Sequence, residues 1–155
     1  MPSANQDHDF EDEIRRRADA YAGAREILSG ANPSFTPESL RDADAVVENY
    51  RLVFALDAAR EQLINCGCYV GEVIRRNLGG RWLKTATLPT AVGGGFIALF
   101  ALELSDHHIG KIIWCDPIGR VLKRFLNGSE DGLPCFYEYC AEQARRRKPA
   151  PPCAH

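Results

Sequence analysis

A chain of 155 residues with 45% apolar and 26% charged side chains has the size and balance of one globular domain able to bury a single core. Its 19 basic and 21 acidic side chains leave a net charge of -2, so the overall field favours neither a nucleic-acid partner nor an anionic membrane. The chain does not open with a basic segment followed by an apolar one, and its longest apolar run, 96–104, is interrupted by Glu103 and too short to cross a bilayer as a helix. Both features point to a cytoplasmic protein.

In chain order, residues 1–8 are polar and read as a disordered tail, followed by a single domain over 9–146 and a Pro-rich tail over 147–155. Phe10, Ile14, Tyr21, Ala24 and Leu28 trace a first helical stripe that stops at Ser29-Gly30. Thr36-Pro37-Glu38 supplies a helix start with a capping residue, a first-turn proline and an acid at the positive end of the dipole. The second helix carries Ala43, Val46, Val47, Tyr50, Val53 and Phe54 on one side. Asp57 would join that apolar face if the helix ran on. Either the chain kinks or restarts near Ala58-Ala59, or a buried carboxylate needs an arginine such as Arg60 or Arg41.

The third helix is the most informative. Leu63, Ile64, Gly67, Val70, Gly71, Ile74 and Leu78 fall on one arc, with both glycines near its middle. Glycine inside a helix costs about 1 kcal/mol against alanine, so two of them one turn apart imply the close approach of another backbone. Asn65, Tyr69, Glu72 and Arg76 occupy the other side and read as solvated, and Gly79 suits the C-terminal cap.

The run YVGEVIRRNLGGRW (69–82), followed by DPIGRVLKRFLNGSEDGL (116–133), resembles small uncharacterised bacterial proteins that form domains of unknown function. Some similar domains belong to toxin-immunity loci. The resemblance covers roughly the second half of the chain and implies a bacterial interaction protein, with no active site to carry over.

Beyond Gly80 the segments 81–87, 96–104 and 109–114 read as strands joined by short connections, which favours an antiparallel meander. Asp116-Pro117 starts a fourth helix bearing Ile118, Val121, Leu122, Phe125 and Leu126, closed by Asn127-Gly128. Ser129 to Asp131 open a fifth, with Leu133, Phe136, Tyr137, Cys140 and Ala144 inward. The expected fold is α+β: about five helices packed on a three-stranded antiparallel meander sheet.

Candidate chemistry is sparse. Cys66 and Cys68 point about 200° apart on one helix and Cys135 and Cys140 about 140° apart on another, so neither pair chelates a metal, and the six cysteines read as thiols of a reducing compartment. His107-His108 beside Asp106 and Glu103 is the enzymatic or ligand-binding alternative, together with a pocket lined by Trp82 and Trp114 or a Cys115-His108 pair. Gly93-Gly94-Gly95 precedes a strand and lacks a phosphate loop's ending. The acidic opening, Asp7 to Glu13, and the basic close, Arg145 to Lys148, read as solvated ends. No cofactor is expected. The expected function is protein–protein interaction, an immunity protein binding a cognate toxin being one form, through exposed Tyr69, Glu72, Arg76 and Trp82.

Overall fold

The computed structural model describes residues 4–30, 33–84, 88–89, 96–97, 100–106 and 111–145, with side chains described within 9–30, 33–82 and 115–145. Five α-helices follow one another: α1 (Ala4–Ser29), α2 (Leu40–Val53), α3 (Leu56–Leu78), α4 (Pro117–Asn127) and α5 (Leu133–Arg145). Short 3-10 turns, Pro37–Ser39 and Ser129–Asp131, precede α2 and α5. Among the described residues no helix is long and apolar enough to cross a membrane.

The organising element is α3. From Cys66 to Ile74 every residue is buried, glycines and Glu72 included. Gly67 lies against the start of α4, where an added methyl group would stand 2.6 Å from the Ile118 Cα. Gly71 receives the Trp82 indole, with the Pro117 ring beside it. The inward notches are thus filled by one backbone and one aromatic ring. On the side expected to face water, α1 lies across α3. Arg17 hydrogen-bonds Asn65 at 3.0 Å, and the Tyr21 and Tyr69 rings pack with centroids 4.9 Å apart. Arg25 then ties α1 to α2 through a two-pronged pair with Asp42, at 2.9 and 2.8 Å.

This packing overturns the α+β expectation of five helices laid on a three-stranded meander. Over the residues whose side chains are described, the fold is all-α: five helices, 85% helical, with one strand end that has no partner inside that set and therefore no sheet. The physical reason is that a helix buried all round must be covered on every side, and here neighbouring helices do most of it, with Trp82 of the following segment filling one notch. Outside the helices, Trp82 and Cys115 are the described core side chains. The extended backbone beyond Gly80 forms β1 (Arg81–Lys84), β2 (Leu88–Pro89), β3 (Phe96–Ile97), β4 (Phe100–Asp106) and β5 (Lys111–Cys115). These pair antiparallel in two separate sets, β1-β4-β5 and β2-β3.

Local signals explain the helix ends. The second helix breaks at Phe54, which is extended, and α3 restarts at Leu56, so Asp57 sits in a first turn at 90% side-chain exposure with Arg60 3.2 Å away. Asp57 is therefore not a buried carboxylate. The Asp116 carboxylate accepts the Gly119 N–H at 2.8 Å and caps α4, with Pro117 in the first turn. The Gly79 backbone, at φ 86°, closes α3 on the Arg75 carbonyl. The first helix begins at Ala4, inside the segment read as a tail, and residues 147–155 lie outside the described residues.

Candidate functional site

Glu72 has no exposed surface, and its carboxylate collects donors from two elements. Arg75 reaches it through Nε at 3.0 Å and Nη2 at 2.7 Å, Arg76 through Nε at 3.1 Å, and the Trp82 indole N–H at 3.0 Å. Burial alone would raise the Glu72 carboxyl, but the hydrogen bonds from Arg75, Trp82 and Arg76 outweigh it and hold the group below the usual carboxylate range. One carboxylate against two guanidiniums leaves a surplus positive charge. It rests on Arg75 and Arg76, which keep 30% and 39% of their side chains in water.

A second layer rests on this cluster. Phe35, in the left-handed region at φ 55°, slides under the Arg76 guanidinium at 3.7 Å and beside the Tyr69 ring at 4.7 Å, and its carbonyl accepts the Asn77 amide at 2.9 Å. The Tyr69 hydroxyl meets the Ser39 hydroxyl at 2.7 Å, and burial raises its pKa, against the opposing Ser39 contact. The four residues expected at an exposed partner surface are thus brought together, but as a pin between α3, β1 and the 33–39 loop. Tyr69, Glu72 and Trp82 are buried, and Arg76 alone of the four reaches the surface. The placement of that surface is corrected accordingly. Cys66, Cys68 and Val73, apolar side chains outside the inward arc, are the sequence signal that this helix is buried all round.

Comparison with protein-family models, curated proteins and solved structures finds no match for this chain.

Two other places remain. At the corner between α2 and α3, Leu52, Val53 and Phe54 are 70%, 72% and 47% exposed, and Phe54 is held edge-on by Tyr50 at 5.7 Å. The fourth helix ends on the same side as α2, because Arg124 pairs with Asp44 at 3.0 Å and Glu48 at 2.6 Å while Gly128 lies against Arg51. That end also exposes Leu126. Val53 and Phe54 were expected on the apolar side of the second helix, and Leu126 among the apolar residues of the fourth. The helix break at Phe54 turns the first two out, and the length of α4 beyond Phe125 leaves the third without cover. A small cavity of about 170 Å³ lies at the opposite end of α4, lined by Cys115, Asp116, Arg120, Lys123, Phe136 and Tyr139. Burial raises the Asp116 carboxyl above its usual value, opposed by the Gly119 N–H and by Lys123 and Arg120.

Among the described residues no three His, Cys, Asp or Glu side chains gather as metal ligands would. His107, His108 and the Gly93-Gly94-Gly95 segment lie outside the described residues, as does the Trp114 side chain. Trp82, its supposed companion in a pocket, is instead packed on Gly71.

Proposed function

We propose that this chain is a small cytoplasmic protein-interaction domain that docks a protein partner on the apolar corner between α2 and α3. The supporting observation is the run Leu52-Val53-Phe54, three consecutive large apolar side chains with most of their combined surface in water. Single exposed apolar residues are ordinary, whereas contiguous ones mark surfaces that another molecule covers, and burial of each is worth about 1.5–3 kcal/mol. Phe54 supplies an aromatic anchor already restrained by Tyr50. In the form suggested by the resemblance of 69–82 and 116–133, the partner is a toxin that the domain covers.

A photo-crosslinker at Val53, compared with one at exposed Asp19, tests the docking surface in cells. One discrete adduct at Val53, absent at Asp19 and abolished by Leu52→Asp, is expected. Because Leu52 is exposed, that variant should change stability by no more than about 0.5 kcal/mol. Equal, diffuse labelling at both positions would remove the reading. For the toxin form, co-expression with the adjacent gene product should give a complex that Leu52→Asp dissociates.

A further inference from the structure

A groove follows one face of α5. Its larger part, about 470 Å³, opens between the 37–39 turn and the start of α5, with Pro37, Glu38 and Arg41 on one wall and Pro134, Tyr137 and Glu138 on the other. From Tyr137 and Glu138 a further part of about 320 Å³ runs over Ala141 and Ala144 to Arg145, opposite Leu78 at the end of α3. Tyr137 and Glu138 line both parts, so the groove is continuous along the helix.

Its middle is apolar and its edges carry acid. Pro37, Pro134 and the Tyr137 ring are flat, stiff surfaces, and Glu38 has no ion pair among the described residues. Glu138, 72% exposed, is held by Arg145 only at 3.8 Å. Burial raises the Tyr137 phenol, and Glu138 and Glu38 raise it further against Arg145, as expected of a ring lying between the two carboxylates. Such a trough suits an extended proline-rich segment flanked by basic residues, because prolines hold the chain straight before docking and little freedom is lost. A segment of that composition leaves the groove's own end: after Arg145 the chain reads Arg146-Arg147-Lys148-Pro149-Ala150-Pro151-Pro152-Cys153.

We propose that the α5 groove is the docking site of the chain's own segment 146–153, which turns back at the end of α5 and covers that helix as a strap. The reach fits. From Arg145 back to Cys135 is ten residues of helix, about 15 Å, whereas the eight residues 146–153 span up to about 25 Å when extended, which leaves slack for the reversal. In that direction Arg146, Arg147 and Lys148 pass Glu138, the prolines cross Tyr137, and Cys153 arrives beside Cys135, an exposed thiol in the groove wall. The strap ties α5 to the 37–41 turn at the start of α2, about 20 Å along that helix from Val53, so the test does not depend on the apolar corner.

The test is brief oxidation of the full chain with diamide at micromolar concentration, quenched with acid and read by intact mass and non-reducing peptide maps. Expected is a monomer lighter by two hydrogen atoms, with Cys135 joined to Cys153, formed at a rate independent of protein concentration. The control is Cys135→Ser/Tyr139→Cys. Position 139 is 57% exposed and nearer to Arg145, but lines the separate 170 Å³ cavity instead of the groove. Its thiol should couple to Cys153 at least tenfold more slowly. Glu38→Gln/Glu138→Gln, both at exposed positions, should slow the Cys135–Cys153 coupling at least threefold. Equal rates at positions 135 and 139 would show a segment that samples all faces alike and would overturn the proposal. So would a Cys135–Cys153 link found only in dimers and rising with concentration, which would assign the groove to a second copy of the chain.

Discussion

Gly67 and Gly71 present bare backbone to their neighbours, and the packing of the third helix depends on that. A methyl group at Gly67 would meet the Ile118 Cα at 2.6 Å and its Cγ1 at 2.9 Å, and the first of these is backbone that cannot swing aside. Overpacking of this kind costs about 1–3 kcal/mol, while alanine returns roughly 0.5–1 kcal/mol of helix propensity, so the loss wins. Gly23, also inside a helix, has nothing within 4 Å of the same position. Gly67→Ala should therefore lower the urea midpoint and Gly23→Ala raise it, the second by about 0.5–1 kcal/mol. Equal shifts of the same sign would mean that α3 and α4 do not meet at Gly67. The inward direction of both glycines was legible from their spacing on one arc. That an indole would fill the second notch was not, because Trp82 lies beyond the helix end and its approach depends on how the chain turns after Gly80.

At the scale of elements, helix boundaries were written in local chemistry: Pro37, Asp116-Pro117, Gly79 and Gly128 all lie where helices or their lead-in turns begin or stop. Burial was harder to read. A polar-looking side carrying Asn65, Tyr69 and Glu72 suggested water, and only the arrival of α1 from far along the chain makes it interior. The consequence is a carboxylate with no exposure whose ionised form is stabilised by Arg75, Arg76 and Trp82, tying β1 to α3. Its folded pKa is below the ordinary carboxylate value of 4.5, so its contribution is complete above that pH and fades as pH falls through the lower folded value. Glu72→Gln should cost about 1–3 kcal/mol at pH 7, moderated because both arginines retain contact with water. Chemical denaturation of both proteins at stepwise lower pH should show this gap narrowing only below about pH 4.5, as protonation removes the charge from the wild type too. A gap unchanged down to pH 3 would show that the charge of Glu72 does not contribute.

For the molecule as a whole, the sequence conveyed five helices but not that they pack chiefly on one another. Alternating segments after Gly80 suggested a sheet that the helices would cover, whereas the apolar faces of α1 and α4 pack on α3. The tie that completes the body was equally hidden, since its members are some 80 residues apart. Arg124, 3% exposed, bonds Asp44 through Nε at 3.0 Å and Glu48 through Nη1 at 2.6 Å, and the Asp44 carboxylate also accepts the backbone N–H of Leu133, the first residue of α5, at 2.9 Å. Three helices therefore share one ionic junction. Arg124→Met keeps most of the side-chain volume but removes the guanidinium from two carboxylates, of which Glu48 keeps Arg51 at 3.3 Å and Asp44 keeps the Leu133 N–H, and both draw partly on water because Asp44 is 24% and Glu48 35% exposed. A loss of about 2–4 kcal/mol follows, short of the full penalty for an uncompensated buried charge. Because Asp44, and not Glu48, accepts the N–H at the start of α5, Asp44→Asn should preserve that contact while Asp44→Ala removes it, and the two variants should differ in how they loosen α5. Hydrogen exchange separates the cases: amides of α5 should exchange faster in Asp44→Ala and Arg124→Met while those of α3 keep their protection. Uniform loss of protection across α3 and α5 would mean that the junction stabilises the molecule only globally and does not specifically dock its last helix.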